Sequence, residues 1–125
     1  MEKIRILIVE DEAISAMSIT RALRLYGYTV CERASTGEEA IRIARREKPD
    51  VILMDILLAG QMDGFEASRE IRSLADIPIV FMTGYMDDDI SMRVNAMECV
   101  DLLVKPIEPE DIRLAISQAL ERGRK

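Results

Sequence analysis

Five side chains suited to phosphate or magnesium chemistry stand at the ends of four apolar runs in this 125-residue sequence. Ile4 to Val9 stops at Glu10 and Asp11, Val51 to Met54 at Asp55, Ile79 to Met82 at Thr83, and Leu102 to Val104 at Lys105. Three carboxylates about 5 Å apart would repel by roughly 3 kcal/mol per pair at an effective dielectric near 20, and one lysine offsets only part of the total. A divalent cation is the remedy. Oxygen ligands without His or Cys favour Mg2+, or Mn2+, and Mg2+ keeps several waters beside a few carboxylates and a phosphate. A carboxylate held beside such an ion can attack phosphorus and form an acyl phosphate, the role open to Asp55. Thr83 could then donate to one phosphoryl oxygen and Lys105 neutralise another, with backbone N–H groups after Asp55 and near Gly84 completing a cradle.

Each residue alone has a plainer explanation. An aspartate after a strand is most often a turn residue or helix cap, Glu10 and Asp11 could be first-turn charges, Thr83 a β-former and Lys105 a solvated loop lysine. It is their joint occurrence, in strand order, that points to a site.

Short β-branched runs separated by helix-like stretches are the pattern of buried parallel strands, and in such sheets the ligand crevice lies beyond the carboxyl ends. Glu12 to Tyr26 is predicted as a helix with an apolar face of Ile14, Met17, Ile19, Leu23 and Tyr26, stopped by Gly27. Tyr28 to Glu32 is a second strand without an obvious reactive terminus. Ser35 and Glu38 form a candidate capping box for a helix reaching about Glu47, which Pro49 and Asp50 break. In the loop Ile56 to Asp63, Gly60 permits a turn and Asp63 can cap a helix from Gly64. Ile77 and Pro78 open the fourth strand, and Asp87 to Asp89 place negative charge at a helix start. Pro109 suits the first turn of a last helix, with Ile112, Ala115, Ile116, Ala119 and Leu120 on one side. The sum is five βα units, an α/β chain with helices on both faces of a parallel sheet. Glu121 to Lys125 reads as a charged, frayed tail.

This length makes one domain over residues 1–125, able to bury roughly two-thirds of its unfolded surface. A net charge of −6 argues against a nucleic-acid surface and for protein partners. Cys31 and Cys99 belong to no cluster and read as small core residues of a reduced, cytoplasmic protein. No run has the length of a signal-peptide core or a membrane span. Histidine is absent, so any histidine chemistry must come from a partner.

The strings ILIVEDE (Ile6 to Glu12), PDVILMDI (Pro49 to Ile56), MDG (Met62 to Gly64), IPIVFMTGY (Ile77 to Tyr85) and LVKP (Leu103 to Pro106) resemble the receiver domain of two-component response regulators, over essentially the whole chain. The resemblance implies a flavodoxin-like, doubly wound (βα)5 fold with strand order 2-1-3-4-5. It makes Asp55 the phosphoacceptor. Asp11, Asp55 and the carbonyl of Leu57 would hold Mg2+, with Glu10 assisting through water, while Thr83 and Lys105 contact the phosphoryl group and the Lys105–Pro106 bond is cis. The donor would be a phosphohistidine on a sensor histidine kinase or phosphotransfer protein. Phosphorylation-dependent homodimers are common in the family.

Three positions depart from the family pattern. Leu102 stands where many receivers carry an aromatic switch residue three before the lysine, Glu98 where a glycine often precedes the fifth strand, and the loop after Asp55 is one residue longer than usual. The family's common partner face, formed by the fourth helix, fifth strand and fifth helix, offers Met86, Met92, Met97 and Leu102, which suit either an adaptable interface or a core. Against a haloacid-dehalogenase-like enzyme, Glu10-Asp11-Glu12-Ala13 lacks the Asp-x-Asp that family uses. Against a nucleotide-binding module, no Gly-x-Gly-x-x-Gly or Gly-Lys-Ser/Thr loop is present. A pseudo-receiver that binds partners without phosphorylation is the remaining alternative.

Overall fold

A computed structural model describes residues 3–97 and 100–123. Its elements alternate without exception: β1 (Arg5–Val9), α1 (Ala13–Leu25), β2 (Thr29–Val30), α2 (Gly37–Glu47), β3 (Val51–Asp55), α3 (Gly64–Leu74), β4 (Ile79–Thr83), α4 (Asp88–Asn95), β5 (Val100–Val104) and α5 (Pro109–Gly123). All strand pairs are parallel and the sheet order is β2-β1-β3-β4-β5, the flavodoxin-like order expected. Expectations for Glu98, Cys99 and the last two residues fall outside the described residues.

Strand alternation sorts the core into two layers. Leu7, Val9, Ile52, Met54, Ile79 and Phe81 face α2, α3 and α4, where they meet Ile43, Phe65, Ile71 and Val94. Ile6, Ile8, Val51, Leu53, Val80 and Met82 face α1 and α5, where they meet Ile19, Leu23, Ile112 and Ile116. Every residue of β3 and β4 is buried, as strands covered on both faces should be.

Several local expectations shift. The buried side of α1 is Ala16, Ile19, Ala22 and Leu23, so Ile14 and Met17 are exposed; small alanines let the helix sit close to the sheet. β2 is shorter than Tyr28 to Glu32 because its ladder with β1 loses register after Cys31 and resumes only at the bridge Val9↔Ala34. The cap of α2 lies one residue later than Ser35 and Glu38: Thr36 accepts the Glu39 N–H at 3.1 Å, and Glu39 accepts the Ser35 hydroxyl at 2.6 Å. At α3 the full capping box of Asp63 and Glu66 forms, and Asp87 caps α4. The longer loop after β3 is absorbed by a bridge between Thr36 and Ala59, with Gly60 at φ 95°. Glu121 and Arg122 remain helical within α5. Met86 and Met92 are exposed, and Met97 packs partly buried on the α2–α4 layer.

Candidate functional site

The parallel sheet brings the carboxyl ends of β1, β3, β4 and β5 to one edge. Glu10 follows β1 and is fully buried; its N–H donates to the Ala34 carbonyl at 2.9 Å. Asp55 closes β3 opposite Met82, and the next N–H, of Ile56, donates to the Met82 carbonyl at 2.9 Å. Lys105 follows β5, and its N–H donates to the Thr83 carbonyl at 2.7 Å. The ammonium of Lys105 reaches back across the edge, donating to Glu10 Oε1 at 2.7 Å and Asp55 Oδ2 at 3.0 Å. One carboxylate oxygen each of Glu10, Asp11 and Asp55 lies within 4.8 Å of the others.

Three carboxylates and one ammonium leave the cluster negative, and its protonation answers that. Burial, then the hydrogen bond shared with Glu10, pushes Asp55 up to about 7 against the pull of Lys105. Burial also raises Glu10, but its hydrogen bonds with Asp55 and Lys105 outweigh this and bring it down to about 2. The two carboxyls titrate as a pair, with Asp55 the member whose proton is favoured by burial and by Glu10. Burial works against the charge of Lys105, while its two carboxylate partners raise its pKa. Glu10 Oε2 is buried and accepts no hydrogen bond from any described residue. An orphaned buried oxygen beside two more carboxylates is a donor set that fits a hard cation such as Mg2+.

The remaining predicted residues take distinct places. Leu57 donates its N–H to Asp55 Oδ1 at 3.3 Å, and its side chain is exposed. Thr83 is buried, but its hydroxyl turns into its own loop: it donates to the Tyr85 carbonyl at 2.6 Å and accepts the Tyr85 N–H at 3.2 Å. Leu102 pairs with Phe81 in the sheet and packs partly buried against the α2–α4 layer. The Lys105–Pro106 peptide is cis.

Gly64 belongs to the site for a reason the helix-start signal did not reveal. A Cβ there would stand 2.2 Å from the Asp55 carbonyl oxygen, so only glycine lets α3 start this close behind Asp55. A groove of about 700 Å3 runs along α1 past Ala16, Met17, Arg21, Leu25 and Arg33, but no carboxylate lines it.

The family model of the response regulator receiver domain matches residues 6–117. The chain is 37% identical over 120 residues to the transcriptional regulatory protein PdtaR of Mycobacterium tuberculosis, covering 96% of this chain and 58% of that protein. It is 36% identical over 122 residues to YvrH of Bacillus subtilis, also a transcriptional regulatory protein, covering 98% and 51%. The chain thus spans about half to three-fifths of these relatives' length. Among solved structures, the receiver domain of a modulated diguanylate cyclase from Desulfovibrio desulfuricans superposes with a TM-score of 0.91 at 30% identity, over 98% of both chains. The receiver domain of the response regulator PhyR from Erythrobacter litoralis gives 0.84 at 31%, over 97% and 92%.

Proposed function

Since the chain belongs to the response regulator receiver domain family, we propose that it is a phospho-accepting receiver whose Asp55 takes a phosphoryl group from a phosphohistidine of a sensor histidine kinase or phosphotransfer protein. The observation that supports this is the juxtaposition of Glu10, Asp11 and Asp55 oxygens within 4.8 Å, tied by Lys105. Glu10, Asp11 and Asp55, with the Leu57 carbonyl, would hold Mg2+. When bound, the ion neutralises the carboxylates and the oxygens of the phosphoryl group.

Asp55 attacks as the carboxylate. One Asp55 oxygen then forms a bond to phosphorus as the phosphorus–nitrogen bond of the donor breaks, and the departing imidazole takes up a proton. Lys105 already touches the Asp55 carboxylate and stays beside it to balance charge on the transferred group. Leu57 N–H orients Asp55 from the other oxygen. Thr83 leaves its loop partner, Tyr85, to donate to the phosphoryl group, and this exchange reports that the site is filled. No described helix is long and apolar enough to cross a membrane, and we assign the domain to the cytoplasm.

Incubation with acetyl phosphate and Mg2+, followed by intact mass, tests the reading. Expected is one phosphoryl adduct that hydroxylamine removes and Asp55→Asn abolishes. A chain that gains no adduct and binds no Mg2+ is instead a phosphorylation-independent interaction module, the reading that the inward Thr83 hydroxyl and Leu102 favour.

A further inference from the structure

We propose that Arg33 is a positioning residue for the carboxylate cluster: through the Glu10 carbonyl it fixes the Glu10–Asp11 peptide and so sets the spacing of the two carboxylates. The inference rests on the phosphoacceptor reading and adds a residue which that reading does not use.

The first observation is a change of register. Cys31 N–H donates to the Ile6 carbonyl at 2.9 Å, and the next ladder bond to β1 comes from Ala34 N–H to the Ile8 carbonyl at 3.0 Å. Three steps along one chain match two along the other, so one extra residue is inserted between Cys31 and Ala34. Such a bulge re-aims the side chains it carries, and bulges are over-represented next to active sites. Arg33 lies in this one, and its guanidinium turns to the end of β1, where Nη1 donates to the Glu10 carbonyl at 2.9 Å.

The second observation is how little else holds Asp11. Its side chain is exposed, and no described residue holds its carboxylate by a hydrogen bond or ion pair. Its place near Glu10 and Asp55 therefore rests on the backbone. The Glu10 carbonyl and the Asp11 N–H share one rigid peptide plane, so fixing that oxygen fixes the direction in which Asp11 leaves the strand. Glu10 N–H is held by Ala34 and Glu10 C=O by Arg33, which makes consecutive residues of the bulge a two-point clamp. A charge-assisted donor makes the stronger kind of hydrogen bond, and Arg33 forms no ion pair among the described residues that competes for it.

Position and charge predict opposite signs. Removing a positive charge near a cation site tightens Mg2+ binding, whereas releasing the clamp weakens it. The test is Mg2+ titration of 15N-labelled protein followed at the Asp11 and Asp55 amides, in about 0.5 M KCl so that the charge contribution is screened. Arg33→Ala is expected to bind Mg2+ about tenfold more weakly, the scale on which outer partners of metal ligands act. Because the Arg33 side chain is exposed, its metal-free unfolding midpoint should fall by no more than about 4 °C, the shift that losing one solvent-exposed hydrogen bond causes in a domain of this size. Arg33→Lys, which keeps a charged donor, should recover most of the loss. Arg33→Ala binding that is unchanged or tighter overturns the proposal, as does a loss that Arg33→Lys leaves unrecovered or that accompanies a large fall in the midpoint. If the natural chain binds no Mg2+, the phosphoacceptor reading itself has failed; if it binds Mg2+ and takes phosphate while Arg33→Ala matches it, only the role of Arg33 has failed.

Discussion

The carboxyl edge of the sheet is built in two ways. At its β1/β3 half, Glu10 and Asp55 are buried, share the Lys105 ammonium, and are backed by Ala34, Arg33 and Gly64. At its β4 half, the Thr83 hydroxyl is bonded, among the described residues, only to the backbone of Tyr85, and Gly84, Tyr85 and Met86 are exposed. On the proposed function, one half is arranged before a phosphoryl group arrives, and the other is occupied with a local contact that it would have to give up. A neutral hydrogen bond is worth about 0.5–1.5 kcal/mol net and one to a charged group about 1.5–3 kcal/mol. Two neutral bonds to Tyr85 are exchanged for one charged bond, so the two loop states lie within about 1 kcal/mol of balance, at most a several-fold preference for either. On that reading, reaction would fall to the pre-arranged half and reporting to the near-balanced one.

The contrast is sharpest in chemistry. Asp55→Asn should form no adduct with acetyl phosphate, and Lys105→Ala should slow adduct formation at least about 100-fold, the usual scale for losing a charge-stabilising donor. Thr83→Ala should slow it only about tenfold, because its hydroxyl joins late. Rates from intact mass at fixed Mg2+ decide this, and equal losses at Lys105 and Thr83 would erase the distinction. Two glycines give the matching comparison in stability. Gly64→Ala forces a Cβ into the Asp55 carbonyl and should cost about 3 kcal/mol in urea unfolding. Gly84→Ala meets nothing within 4 Å and should cost under about 0.5 kcal/mol.

What the sequence showed and what it hid divide along the same line. Glu10, Asp11, Asp55, Thr83 and Lys105 were legible because parallel strands project their ends to one side, so strand order alone gathers them. The strand order itself came from family resemblance, since periodicity does not say which strands are neighbours. Gly64 was legible as a helix start but not as a close approach, which depends on a carbonyl nine residues away. Arg33 was silent for a related reason: a bulge is a mismatch between two strands, and neither strand shows it by itself. The buried face of α1 was misplaced because Ile14 and Met17 outrank alanine in hydrophobicity, whereas close helix–sheet packing favours Ala16 and Ala22.

Proton linkage gives the next effect. Asp55 is raised from 3.8 to about 7, so the folded chain binds more protons than the unfolded one across that window, and its stability falls as pH rises through it. Glu10, lowered from 4.5 to about 2, acts oppositely: its contribution is present above 4.5 and is lost as pH falls towards 2. Without metal, the pair is most favourable near pH 4 to 5. At about 1.4 kcal/mol per pH unit the Asp55 shift is worth at most about 4 kcal/mol, and about 2 kcal/mol once Lys105 and solvent relax around the charge. Urea unfolding in EDTA should therefore show the natural chain losing about 2 kcal/mol from pH 5 to pH 8 and Asp55→Asn losing far less. Parallel pH profiles for the two would mean that Asp55 is not the group holding the proton.

The smallest effect lies where the reporting half meets the core. Leu102 pairs with Phe81, whose ring packs on Phe65 at 4.9 Å, and the Arg93 guanidinium covers Phe65 at 4.1 Å while also facing Asp63 at 3.6 Å. A leucine offers no hydroxyl or ring that could trade places with Thr83, so its contribution is packing, and half-burial limits that to about 1 kcal/mol. Leu102→Ala should lower stability by about that amount and leave adduct formation within about twofold, since the reactive half does not lean on it. Stability changes of this size are comparable to the Thr83 exchange itself. Leu102→Ala should therefore alter how completely the phosphorylated chain switches, read as the fraction of shifted Tyr85 amide signal, even where the rate of phosphorylation stays the same. An unchanged fraction beside a loss of about 1 kcal/mol would show that the loop and the Phe65–Phe81 layer are uncoupled.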